Sequence, residues 1–202
     1  QAGMDGAIAM AMTHVILQEF YLEQHVPYFD QYAKQYTDLP YLITLKETKH
    51  GWKADRFLRA SDLGLDTGKG EWKTVIYDEY TSTFAVPNGS IGHRWDGEKN
   101  WNLQQSDVIN NLEHISPVLT LAGHEDSVEE ICMASFEQDD NRVYKNTVPV
   151  KKISSESGST LVTTVFDLMC AQSGIERDFT GKKVPSRRYE EDQPYTPAWQ
   201  EK

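Results

Sequence analysis

The chain has 202 residues, of which 20 are Lys or Arg and 31 are Asp or Glu, for a formal net charge of −11. That acidity argues against a binder of nucleic-acid backbone, which needs a basic face, and against a polybasic membrane anchor. The length suits one domain or two small ones, and 39% hydrophobic with 25% charged residues fits a globular chain rather than a disordered one.

Residues 5–20 read as one helix. Ala7, Ile8, Met10, Ala11, Met12, Val15, Ile16, Leu17 and Phe20 are apolar on nearly every side, so this helix is expected to be buried within a larger body. Its uncharged run, Gly6 to Gln18, is thirteen residues long. A membrane span needs about 20, so no direct membrane span is expected. Gln1 to Asp5 lacks the basic start of a signal peptide. Asp5 stands where a carboxylate caps free amides, and Gly3 and Gly6 flank it.

A second helix is expected over His25 to Tyr36, with Pro27 in its first turn and Tyr28, Phe29, Tyr32, Ala33 and Tyr36 as its apolar stripe. Pro40 closes it off. Tyr41 to Leu45 reads as a strand, with Lys46 to Gly51 as its turn. From Trp52 to Trp101 the texture becomes β-rich, with Trp72 to Tyr77 and Thr83 to Val86 as a hairpin pair. Pro87 to Ser90 is a turn and Ile91 to Trp95 a further strand. The acidic stretch 102–142 reads as a solvated surface insertion. Val148–Val150 and Leu161–Val165 read as strands around a turn at Ser154 to Ser159. A helix runs from Val165 to Gln172 and closes at Gly174. Thr196 to Glu201 spells a helix start. A helix that opens within five residues and another cut after one turn suggest an interior piece of a longer chain. Three stretches follow: 1–51 as the helical part of an α/β cofactor-binding domain, 52–147 as a β-rich and acidic insertion, and 148–202 as a return to the α/β domain.

Few residue patterns point to chemistry. Cys132 and Cys170 are too isolated for a disulfide framework or a thiolate cluster. The six histidines (14, 25, 50, 93, 114 and 124) form no HxxxH or HExxH pattern, and His14 reads as a satisfied core histidine. Gly68-Lys69-Gly70-Glu71 lacks the spacing of a phosphate loop, and Asn88-Gly89-Ser90 is first a turn. The one constellation of interest is Gly3-Met4-Asp5-Gly6 at a helix start. Free amides there bind anions, and a carboxylate there can accept hydrogen bonds from the edge of a guanine. Simple helix capping explains the same residues.

Asp5 to Met12 running on to Leu17, Val26-Pro27-Tyr28-Phe29, Tyr36 to Pro40, Leu58 to Asp62, Val86 to Gly92 and Arg94-Trp95 form one series of blocks. Trp101-Asn102-Leu103, Val148 to Lys152, Leu161 to Leu168 and Pro194 to Trp199 continue it. In this order they resemble the alpha (catalytic) subunits of membrane-bound respiratory nitrate reductases, which are molybdenum oxidoreductases of the dimethyl-sulfoxide-reductase type. Only about 104–146 matches poorly.

The resemblance implies an α/β fold, a partial segment of a multi-domain molybdopterin oxidoreductase. It implies a Mo-bis(molybdopterin guanine dinucleotide) centre and a 4Fe-4S cluster, with Mo and cluster ligands upstream of these residues, so no catalytic or metal residue carries over. It implies reduction of nitrate, with electrons from quinol through a membrane cytochrome b gamma subunit and an iron–sulfur beta subunit. The expected place is the cell membrane, on its cytoplasmic face in most bacteria. The family's Gly-Thr-Asp element, which holds the guanine end of one cofactor, stands here as Gly3, Met4 and Asp5, with Met4 in place of the usual Thr. Two rivals remain: a sibling reductase for selenate, perchlorate or chlorate (or an ethylbenzene dehydrogenase), and a non-enzymatic interaction module.

Overall fold

A computed structural model describes residues 5–65, 69–88, 104–107, 114–133, 144–155, 158–175, 177–179 and 182–184. Helix α1 (Asp5–Val15) runs directly into a π-helical segment, Ile16–Glu23, and then α2 (Pro27–Tyr36). Strands β1 (Leu42–Thr48) and β2 (Gly51–Phe57) follow, then a 3-10 turn at Ala60–Leu63, β3 (Ile76–Asp78), β4 (Thr83–Ala85), β5 (Pro87–Asn88) and β6 (Gln104–Asp107). The chain continues with β7 (Ser127–Met133), β8 (Tyr144–Ser155), β9 (Gly158–Thr164), α3 (Val165–Gln172), β10 (Arg177–Phe179) and β11 (Lys182–Val184). The fold is mixed α/β, as expected.

The organising unit is a closed five-stranded barrel in the order β1-β2-β7-β8-β9. Four of its five pairings are antiparallel; β2 meets β7 in parallel, at Trp52 opposite Ile131. The predicted turn at Lys46 to Gly51 shrinks to two residues, because β1 continues to Thr48 and hairpins straight into β2. Strand β1 is buried on both faces over Leu42–Leu45. Successive side chains point to opposite sides of a strand. Leu42 thus joins one core with Leu58, Val75, Tyr77, Val86, Leu121 and Val162, while Leu45 joins another with Ile131, Val148 and Val150.

The stretch predicted to be a solvated insertion supplies both core and scaffold. Ile115, Val118, Leu119 and Leu121 are buried, and β7 is a barrel strand that pairs along its whole length with β8. In β7 the acids Glu129 and Glu130 precede Ile131, Cys132 and Met133. Ile131 and Met133 point inward, and the acids conceal that alternation in the sequence. The barrel therefore takes strands from all three predicted stretches. The expected strand at Ile91 to Trp95 and the helix start at Thr196 lie outside the described residues.

Helix α3 spans the predicted Val165–Gln172. Thr164, in extended conformation, caps it by accepting from Asp167 N at 3.0 Å. Gly174, at φ 68°, takes the left-handed conformation that ends it. The other first-turn amides are satisfied as well. Val165 N donates to Tyr41 O and Phe166 N to Leu39 O, both at 3.0 Å. The inner face of α3 packs Phe166 and Cys170 against Leu17, Ala33, Leu119 and Ile175.

The described residues do not supply the burial expected for the first helix. Helix α1 has no buried residue, and of the π-helical segment only Leu17 is buried. An apolar helix in the sequence is an exposed helix here. Its docking is confined to one side: His14 Nδ1–H donates to Ser173 O at 2.9 Å, and the Tyr21 ring meets Phe166 edge-on at 4.6 Å. In α2 the predicted stripe divides. Phe29 and Ala33 face the core, while Tyr28, Tyr32 and Tyr36 lie exposed as a row of neighbouring rings.

Candidate functional site

Of the three residues that sequence reasoning assigns to a cofactor, Gly3 and Met4 lie outside the described residues. Asp5 is described: it is the first residue of α1 and is exposed. The first amides of a helix have no partner within it, and an ionised carboxylate is an acceptor only. Asp5 thus places acceptor oxygens at the start of α1. Helix α3 is the opposite case. Its first three amides are already taken up by Tyr41 O, Leu39 O and the Thr164 hydroxyl, so α3 offers them to no anion.

The best-built polar cluster is centred on α3. Asp167 is wholly buried, and its carboxylate accepts from Arg177 Nη1 at 2.5 Å, Thr120 Oγ1 at 2.6 Å and Leu121 N at 2.9 Å. The Thr164 hydroxyl lies between Leu119 O, at 2.7 Å, and Asp167 Oδ2, at 2.9 Å. Burial, the largest single influence, works to lower the Arg177 pKa, but the charge and hydrogen bond of Asp167 together with the neighbouring Cys170 and Tyr21 outweigh it and hold the guanidinium in its charged form. The same guanidinium stacks over Phe179 at 4.6 Å. Asp167 and Arg177 are both satisfied within the chain, and their effect is to tie α3, the 119–121 segment and β10 together. Sequence reasoning passed over this pair. Its only trace was an Asp within the apolar run from Val165 to Ala171.

A second buried carboxylate, Asp78, fixes the β3–β4 hairpin to the 114–118 segment. It accepts from Ser116 N at 2.6 Å, Thr81 N at 2.9 Å and Thr81 Oγ1 at 2.6 Å. Both cysteines are free. Burial pushes the Cys170 thiol up to about 12, while Cys132, also raised by burial, donates from Sγ to His50 O at 2.9 Å. Cys132 borders a cleft of about 500 Å³ whose walls include Leu39, Lys53, Ile131, Leu168 and Met169. Among the described residues no three His, Cys, Asp or Glu side chains stand together as a metal site. No described helix is long and apolar enough to cross a membrane.

No family model matches the chain. Individual proteins do. It is 45% identical over 199 residues, 98% of its length, to the nitrate reductase alpha chain of Bacillus subtilis. It is 38% identical, again over 98% of its length, to the respiratory nitrate reductase 1 alpha chain of Escherichia coli. The chain is homologous to a stretch of the nitrate reductase alpha chains. It spans only 16% of the first relative's length and 17% of the second's. The perchlorate reductase subunit alpha of Dechloromonas aromatica is 35% identical, but over 46% of this chain. The likeness to nitrate reductase alpha chains thus runs through α1, the barrel and α3 alike, and the likeness to the perchlorate enzyme through less than half of the residues.

Proposed function

We propose that these residues work as part of the catalytic subunit of a respiratory nitrate reductase, which reduces nitrate to nitrite and water with two electrons and two protons. The observation that carries this is the 45% identity sustained over 199 residues. A perchlorate-type sibling is disfavoured by its shorter match. A free-standing interaction module is disfavoured by a likeness to one family of enzymes from end to end.

In this reading the reaction takes place at a Mo-bis(molybdopterin guanine dinucleotide) centre, with a 4Fe-4S cluster delivering electrons. The metal centre supplies the oxygen-atom transfer; the protein binds and orients it. Asp5 fits the guanine end of one such cofactor. Its exposed carboxylate accepts hydrogen bonds, and guanine presents parallel N–H donors along one edge. Gly3 would allow the backbone to approach, and Met4 contributes no hydroxyl where the family has Thr. The buried Asp167–Arg177 pair and the barrel act as scaffold, holding Phe166 and Leu119 against the segment that carries α1. The partners are an iron–sulfur beta subunit and a membrane cytochrome b gamma subunit, with nitrate as substrate. The place is the cytoplasmic face of the cell membrane.

The test is Asp5→Ala in the full alpha-chain polypeptide, with guanine and molybdenum measured in the purified protein. Loss of guanine, with an α1 that still gives native exchange behaviour, is the expected result. Full retention of guanine rejects the role of Asp5.

A further inference from the structure

Between α1 and α2 the chain is wound more widely than an ordinary helix. Ile16–Glu23 is a π-helical segment of eight residues. Gln24 N donates to Glu19 O, five residues back, at 3.1 Å, and the Gln18 side chain spans the same interval, from Nε2 to Glu23 Oε1 at 2.9 Å. An α-helix bonds four residues back. π-helical winding is rare and gathers at functional sites. Neither the local sequence nor the core asks for it here. No proline and no glycine stands between Val15 and Gln24. Leu17 and Tyr21, which meet Phe166 and the rest of the α3 core, are four residues apart and would share a face of an α-helix as well.

We infer that the π-helical segment is a positioning element for Asp5, because its winding sets the rotation of α1 relative to α3. This rests on the proposed contact of Asp5 with guanine. The segment is fixed on α3: Leu17 is 1% exposed, and the Tyr21 ring meets Phe166 edge-on at 4.6 Å. From there α1 runs out past His14, held by Ser173 O, to Asp5 at its far end. At about 1.5 Å per residue, the stretch from Asp5 to Leu17 is a lever about 18 Å long. One residue more or fewer in an α-helix turns everything beyond it by about 100°. A hydrogen-bonded turn that reaches five residues back takes up a residue that an α-helical turn does not. The phase of α1, and with it the side on which Asp5 lies, therefore depends on Ile16–Glu23. The segment acts through Asp5 rather than by a contact of its own.

The experiment deletes Glu19 from the full alpha-chain polypeptide and measures guanine and the melting temperature of the purified protein, beside Asp5→Ala and Glu19→Ala. Glu19 is exposed, and without it Leu17 and Tyr21 stand three apart, still on one α-helical face. The expected result is loss of most of the guanine, as in Asp5→Ala, with a melting temperature no lower than that of Glu19→Ala, which keeps its guanine. A second variant, with one alanine inserted between Ala9 and Met10, rotates the first turn of α1 while leaving His14, Leu17 and Tyr21 in place. It should lose guanine too, and it carries the test if the deletion impairs folding. Retention of guanine by the insertion variant, or by a folded deletion variant, while Asp5→Ala loses it, overturns the inference and leaves the role of Asp5 standing. Retention of guanine by Asp5→Ala removes that role, and the inference falls with it.

Discussion

Helix α3, packed on the barrel, and the α1 segment are built from similarly apolar sequence, yet they end in opposite states. Around the barrel, Leu42, Val75, Ile76, Val148, Val150 and Val162 are fully enclosed, and the buried carboxylates of Asp167 and Asp78 are matched donor by donor. In α1 there is no buried side chain at all. The difference lies in partners. Strands β1 and β9 pair with each other and close the barrel, and α3 fills one side of it. Helix α1 is docked among the described residues on the side that bears His14. Apolar composition alone sets how much a segment gains by burial; whether it is buried depends on what folds beside it.

Substitutions should separate the two regions by the size of their effects. The largest belongs to Asp167→Ala. It strands Arg177 as a buried, uncompensated charge and should cost about 3–5 kcal/mol in urea unfolding. Replacing both residues together with apolar ones of similar volume should recover much of that. A loss no larger than that of a surface change would show that the pair does not hold α3 to β10. Thr164→Ala removes the cap of α3 and should cost about 1–2 kcal/mol, with hydrogen exchange rising first at Asp167 N.

A smaller effect is expected at the half-buried Asp62, whose partner Arg56 is exposed. Its carboxyl lies below the usual range because Arg56 hydrogen-bonds to it, at 2.7 and 2.8 Å, against a desolvation that works the other way; Arg59 N adds a further bond at 2.9 Å. A depressed carboxyl pKa contributes stability that is present above the unfolded pKa of about 4 and fades as pH falls through the folded one. Asp62→Asn should therefore flatten the acid side of the stability–pH curve, by at most about 1 kcal/mol since the pair is solvent-screened. The smallest effect is Met12→Ala, which should shift the stability of the 202-residue chain by no more than about 0.5 kcal/mol. A loss as large as that at Thr164 would mean that α1 is packed within the chain, and the contrast would fail.

Much of this architecture is legible in the residues. Thr164, the apolar run to Gln172 and Gly174 spell a complete helix, and it forms at those positions. Strand Thr83–Ala85 and the turn between β8 and β9 form within the stretches the sequence marks for them, while Ile76–Asp78 takes only the end of the expected Trp72 to Tyr77 and runs one residue past it. Strand β7 was hidden because local charge reports only which side chains face water, and half of a strand's side chains do. The barrel itself was hidden for a different reason: the parallel meeting of Trp52 with Ile131 joins residues far apart, and no local pattern encodes it. At the candidate site, Asp5 could be singled out from its helix-start position together with the family resemblance. The Asp167–Arg177 pair could not, because burial is what makes it a unit.

The account depends most on these residues serving a nitrate-reducing alpha chain. The direct measurement is to purify the native polypeptide that carries them, determine its molybdenum content, and follow nitrite formation from nitrate with a reduced viologen dye as electron donor. A molybdenum-containing protein that forms nitrite is predicted. A fully metallated protein that forms none would contradict it.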